Sequence, residues 1–298
     1  MELNVQKDTV TTVGQLIDTR QELPIETEIL IPDYLPEVFK IVKSFVHLVV
    51  LQKQIIQGRL AIEGYFRVEV FYQGEQAALC SIEQKVPFLR QIDLKQGEWT
   101  QNFIEVTGEV QYINCRAVNQ RRLDVRGAYN IYAQILAATQ QEVITAVSGQ
   151  GLQQKQEVIP TVTLAVSPDK QFTVEEEIVF DTPPSSILHT ESMVSIEDVK
   201  LVSDKAVVKG EISSIILYRG EDNALQHSEK KLPFNQIVEL QGANENSECQ
   251  VTVTPIGCTI SSQGEGEAQL QLAVTCIINV KAVSKQDVLL VVDSFSTQ

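Results

Sequence analysis

The residue types able to do chemistry are few in this chain of 298 residues, and none falls into a working constellation. There are three histidines, His47, His189 and His227. They lie far apart, in no metal-ligand or triad spacing, so no catalytic histidine is predicted. His47 stands between Val46 and Leu48 in an apolar stretch and reads as a structural histidine. His189 and His227 fall near turn signals and read as solvated. Five cysteines (Cys80, Cys115, Cys249, Cys258, Cys276) form an odd set without a CxxC pair. That argues against a metal site and against a closed disulfide framework. Cys276 shares strand parity with Leu270, Leu272 and Val274, and Cys249 with Val251 and Val253, so both read as buried apolar residues. Covalent cross-linking between subunits in an oxidising setting is the alternative. Gly264-Glu265-Gly266-Glu267 has the glycines of a phosphate loop but no lysine or helix signal after it, and a hairpin turn accounts for it. Glu175-Glu176-Glu177 reads as a solvated strand edge. The sequence therefore predicts no enzyme, no cofactor and no metal.

One basic cluster remains: Arg116, Arg121, Arg122 and Arg126. It reads either as a solvated hairpin tip or as a docking patch for an acidic surface, such as another copy of the chain. The net charge is −15, with −4 in the residues up to 146 and −11 after them. A chain this acidic repels phosphate backbones, which excludes a nucleic-acid partner. No apolar run approaches the ~18 residues of a membrane-spanning helix. Met1–Thr12 carries no signal-peptide pattern, so the chain is expected to stay in the cytosol where it is made.

The elements that must position these residues are set by a repeat. Gly64, Tyr72, Gly74, Glu75, Ala78, Leu79, Glu83, Lys85, Pro87, Phe88 and Leu94 recur 146 positions later as Gly210, Tyr218, Gly220, Glu221, Ala224, Leu225, Glu229, Lys231, Pro233, Phe234 and Leu240. The alternating run Leu123, Val125, Gly127, Tyr129, Ile131 answers to Leu270, Leu272, Val274, Cys276, Ile278. Small shifts of offset belong in loops, which vary while strands keep register. Each unit reads as strands spaced by turn residues. Pro87 and Pro233 mark strand ends or edges, because proline lacks an amide donor. Val38, Ile41, Val42 and Phe45 stand at helical spacing behind Pro36 and predict one short helix. The fold class expected is mainly β: two tandem antiparallel β-sandwich or barrel-like domains, each with a short helix, related by internal duplication. The first domain takes residues 1–147 with an N-terminal strand or arm, 148–170 are a linker or connecting strand, and the second domain takes 171–298. Gly64, Tyr72, Pro87, Phe88, Gly210, Tyr218, Pro233 and Phe234 are the expected shared core and turn residues. The valine- and threonine-rich stretch holding Val5, Val10 and Val13 has no evident counterpart in the second unit. It is expected either to dock on a neighbouring chain or to add a strand to its own domain.

Ile31-Pro32-Asp33-Tyr34-Leu35-Pro36, Glu63-Gly64 with Phe71-Tyr72, Val86-Pro87-Phe88 and the run from Asn114 to Val125 together resemble the SPOCS domain. The second unit matches through Val207-Val208-Lys209-Gly210, Leu217-Tyr218 and Leu232-Pro233-Phe234. That family occurs in spore-coat and sporulation proteins of Firmicutes, notably the SipL-type coat morphogenesis proteins of clostridia. Those carry a LysM module after such domains, and none is expected within these residues. The resemblance implies a structural protein of the endospore surface (coat, exosporium or appendage), made in the mother-cell cytosol and assembled as a homo-oligomer or polymer with other spore-coat proteins. The alternative is a monomeric adaptor for a morphogenetic partner or a cell-wall glycan.

Overall fold

The computed structural model describes residues 4–74, 78–95, 97, 99–262 and 269–296, and the Gly264–Glu267 turn lies outside them. Among the described residues there are thirteen strands and no helix. The first unit comprises β1 (Asn4–Leu30), β2 (Lys40–Ile56), β3 (Arg59–Gln73), β4 (Leu79–Asp93), β5 (Gln101–Asn119) and β6 (Arg122–Ser148). The second comprises β7 (Leu152–Val166), β8 (Lys170–Val179), β9 (Pro184–Val202), β10 (Lys205–Gly220), β11 (Leu225–Glu239), β12 (Glu248–Ser262) and β13 (Gln269–Ser296). All pairing is antiparallel, in four sheets: β1-β6-β5 and β2-β3-β4, then β12-β13 with β7 and β8 beside β13, and β9-β10-β11. None of the four closes into a barrel.

In each unit the two sheets enclose one core. Ile25, Ile29, Leu123, Val125, Ile131 and Ile135 from one sheet meet Leu60, Ile62, Phe66, Val68 and Tyr72 from the other. In the second unit Leu272, Val274, Cys276 and Ile278 meet Ala206, Val208, Ile212, Ile216 and Tyr218. Alternation puts every second residue inside, so Cys276 is buried as the sequence predicts, while Cys249, Val251 and Val253, also expected to be buried, are half-buried against the same core.

Several residues identical in both units answer to geometry that the two sheets share. Gly64 pairs with Phe88 and Gly210 with Phe234, at the same rung of the two sheets. A Cβ on Gly64 would stand 3.2 Å from the Phe88 ring, and one on Gly210 2.7 Å from the Phe234 ring. Each phenyl ring lies across its glycine, which restores the apolar cover that a side-chain-free position lacks. Tyr72 and Tyr218 are fully buried, and their hydroxyls donate to the Pro36 carbonyl at 3.1 Å and to Gln226 Oε1 at 2.7 Å. Pro87 and Pro233 sit on β4 and β11, each the outer strand of its sheet, where a missing amide is tolerated. They do not end those strands.

Two expectations need correction. The predicted short helix is the start of β2. A bulge between Ile41 and Lys43 inserts Val42 as an extra residue, so apolar positions on opposite faces fall at helix-like spacing. The β-branched run that follows is paired with β3 throughout, and tertiary pairing overrides the local pattern. Second, the N-terminal stretch does have a counterpart. It pairs with the end of β6 (Asn4 with Ser148), as β7 pairs with the end of β13 (Gln153 with Phe295). β7 and β8 together are the second unit's version of β1, broken at Ser167–Asp169.

Candidate interaction site

The two units meet over a face built largely from the outside of sheet β2-β3-β4. On β2 the residues Val46, Leu48 and Val50 pack on the unit's own core. Val49 has the opposite parity and would be solvent-facing in an isolated unit, yet it is 6% exposed. Phe71 on β3 is buried in the same way, with its ring 5.7 Å from that of His189 on β9. Leu188, the extra residue of the β9 bulge between its rungs to Leu217 and Tyr218, is 7% exposed. A smaller apolar cluster joins Phe103, Ala138 and Val13 of the first unit to Leu164, Val166 and Val283 of the second.

Polar groups close the contact. Ser81 Oγ donates to the Leu188 carbonyl at 2.5 Å, and the Arg219 guanidinium donates to the Leu79 carbonyl. His189 Nδ1 lies 2.9 Å from both oxygens of Glu69, a carboxylate only 6% exposed. Its Nε2 lies 3.9 Å from Glu191. The hydrogen bond to Glu69 raises the His189 pKa above its ordinary value, against the opposing effect of burial. His47 goes the other way: burial, then the nearby Arg67 guanidinium, lower it. Carboxylates on both ring nitrogens of His189 favour an imidazolium, and the Ser81 hydroxyl is turned to a backbone carbonyl. This chemistry fastens two surfaces. Further along, Lys53 pairs with Asp169 at 3.5 Å and Lys281 with Glu105 at 3.7 Å. The Lys281 ammonium also sits 4.4 Å from the Phe103 ring centroid. Lys53, Phe103, Glu105 and Asp169 line a cleft of about 250 Å³ between the units.

His189 was expected to be solvated, and Glu69 was not singled out. A signal for both exists in β3: Val68, Glu69, Val70, Phe71 and Tyr72 are buried consecutively, and this stretch is apolar on both faces apart from Glu69. A strand without alternation is covered on both sides, and a lone carboxylate in it requires a partner.

The arginine cluster lies at the β5–β6 hairpin tip, and each member has a carboxylate of its own unit. Arg116 and Arg126 share Asp124 at 3.0 and 3.3 Å, and Arg122 pairs with Glu28. Arg121 bonds Glu37 at 3.2 Å and donates to the carbonyls of Pro32 and Leu35, holding the turn between β1 and β2. Of the N-terminal valines, Val10 is buried, Val5 is half-buried and Val13 joins the inter-unit cluster, so they do not gather on one open face.

All five cysteines are free thiols. Burial pushes Cys115 and Cys276 up to about 11, which keeps them protonated and unreactive near neutrality. Among the described residues no group of three or more His, Cys, Asp or Glu side chains could hold a metal ion, and no helix is long and apolar enough to cross a membrane.

These features define a class: a tandem β-module protein with a buried histidine–carboxylate pair between its modules. The family model described as SipL, SPOCS domain matches residues 37–118 and 184–261, and the chain belongs to this family. The matched segments run from the start of β2 to the end of β5 and from β9 to β12, one in each unit. Neither a curated protein nor a solved structure matches the chain.

Proposed function

We propose that this protein is a non-enzymatic structural component of the bacterial endospore surface, in the coat, exosporium or an appendage, and that it assembles with further copies of itself and with other spore-coat proteins. It is made in the mother-cell cytosol and ends in a surface layer. Family membership supports the sporulation setting. The observation that carries the assembly reading is that one SPOCS unit already binds another here, through surfaces that differ on the two sides. The first unit contributes the outer faces of β2, β3 and β4, with Val49, Glu69, Phe71 and Ser81; the second contributes the β9 bulge with Leu188 and His189. A contact between unlike faces leaves one of each unused, and such contacts propagate into rings or filaments.

Sedimentation velocity over a hundredfold range of concentration tests this. Growth of the sedimentation coefficient with concentration is expected. A chain that stays monomeric throughout contradicts assembly and favours an adaptor that binds one morphogenetic partner or a cell-wall glycan.

A further inference from the structure

The duplication makes it possible to ask what covers each face of a unit when its neighbour is absent. Val42 and Leu188 are equivalent, each the extra residue of the same bulge, beside the rungs Ile41–Tyr72 and Ile187–Tyr218. Leu188 is buried by the first unit. Val42, with no unit before it, is 54% exposed. Around it the first unit leaves Phe45, Val110 and Tyr112 exposed as well. Val110 and Tyr112 flank a β5 bulge that matches the β12 bulge between Pro255 and Gly257, which faces His47 and Val49 of the first unit. The second unit shows the complementary situation. The positions of His47, Phe71 and Leu79, which the internal contact covers, are held there by Met193, Leu217 and Leu225. Met193 is 56% exposed and Leu225 52%.

We propose that these two open faces bind each other between chains, so that the β9-β10-β11 outer face of one chain receives the Val42 end of the next and repeats the contact already made inside each chain. This rests on the assembly reading above and specifies its surface. Two observations select a second copy as the occupant. Each face carries exposed apolar side chains, Val42, Phe45, Val110 and Tyr112 on one and Met193 and Leu225 on the other. Each is the equivalent of a face that a SPOCS unit covers in the same molecule. Exposed apolar residues are ordinary and occur elsewhere on this chain, as at Tyr34 and Phe39, so it is the equivalence by duplication that selects these two surfaces. The Glu69–His189 pair is not reproduced, since Ile215 and Lys43 hold those positions. The contact between chains is therefore weaker than the one within a chain, and assembly is concentration-dependent.

The test uses two full-length variants, Val42→Glu and Met193→Glu, each altering one open face at an exposed residue, followed by sedimentation velocity. Each alone is expected to need at least tenfold more protein to assemble than the wild type. Mixed in equal amounts they are expected to stop at dimers, because one V42E chain and one M193E chain still share a single intact pair of faces. Unchanged melting temperatures show that both variants fold; if V42E does not, Tyr112→Glu on the same face carries the same test. Leu289→Glu, on the exposed end of β13, is expected to assemble like the wild type. If the wild type assembles and V42E matches its midpoint, or if the mixture stays monomeric, this contact is wrong while self-assembly stands. A wild type that never assembles overturns both.

Discussion

Val42 and Leu188 occupy the same bulge in two copies of one unit, yet the first is 54% exposed and the second 7%. The difference comes from the neighbour: Leu188 lies under the first unit, with its carbonyl accepting from Ser81. The contact between units therefore rests on residues that an isolated unit would expose, and several predictions concern its strength.

Removing the His189 side chain leaves the Glu69 carboxylate buried without its partner. His189→Ala is expected to lower stability by about 1–3 kcal/mol, the cost of stranding a buried polar group. In the H189A background, Glu69→Gln should recover part of it. Urea unfolding followed by circular dichroism measures both, and no loss in H189A would mean the pair contributes nothing.

The same pair gives a pH signature. His189 has a raised pKa in the folded chain, so its contribution is fully present below the ordinary histidine value of about 6.5 and is lost as pH rises through the folded value. The melting-temperature gap between the wild type and His189→Gln should be widest near pH 6 and narrow on the alkaline side. His47, with a lowered pKa, acts oppositely: its contribution is present above about 6.5 and lost as pH falls through its folded value. Replacing His47 by Gln should therefore flatten the acid side only.

Gly64→Ala and Gly210→Ala should each cost about 1–3 kcal/mol, because the new methyl group runs first into the backbone carbonyl oxygen of Val49 or Ser195 and then into the ring of Phe88 or Phe234. Denaturant midpoints report the loss. Similar costs at both sites would show that the two units use glycine for the same reason.

At the hairpin tip, Arg121→Ala should destabilise by about 1–3 kcal/mol, since its guanidinium holds two backbone carbonyls and Glu37. Arg126→Ala removes only an exposed ion pair and should change stability by less than about 0.5 kcal/mol. Thermal melts of the two variants separate them.

Much of this was legible in the residues. Period-two patterning, turn glycines and edge prolines placed the strands and the duplication, because each reports local geometry that both units share. The helix reading failed at Val42, where one bulge residue turns a strand pattern into helical spacing. The counterpart of β1 was missed because β7 and β8 are interrupted at Ser167-Pro168-Asp169 and share few identities with it. The fastening pair was missed for a deeper reason. Glu69 and His189 are 120 residues apart, and no motif joins them in sequence. Only the non-alternating stretch Val68–Tyr72 pointed to a second covered face.

The central claim is that chains join as the units within a chain join. Electron cryo-microscopy of the assembled protein tests it directly, by superposing the contact between chains on the contact within one. The account predicts that they coincide, with Met193, Leu217 and Leu225 of one chain against Val42 and Phe45 of the next. Chains related by a two-fold axis, or paired through the open edges of β7 and β13, would contradict it.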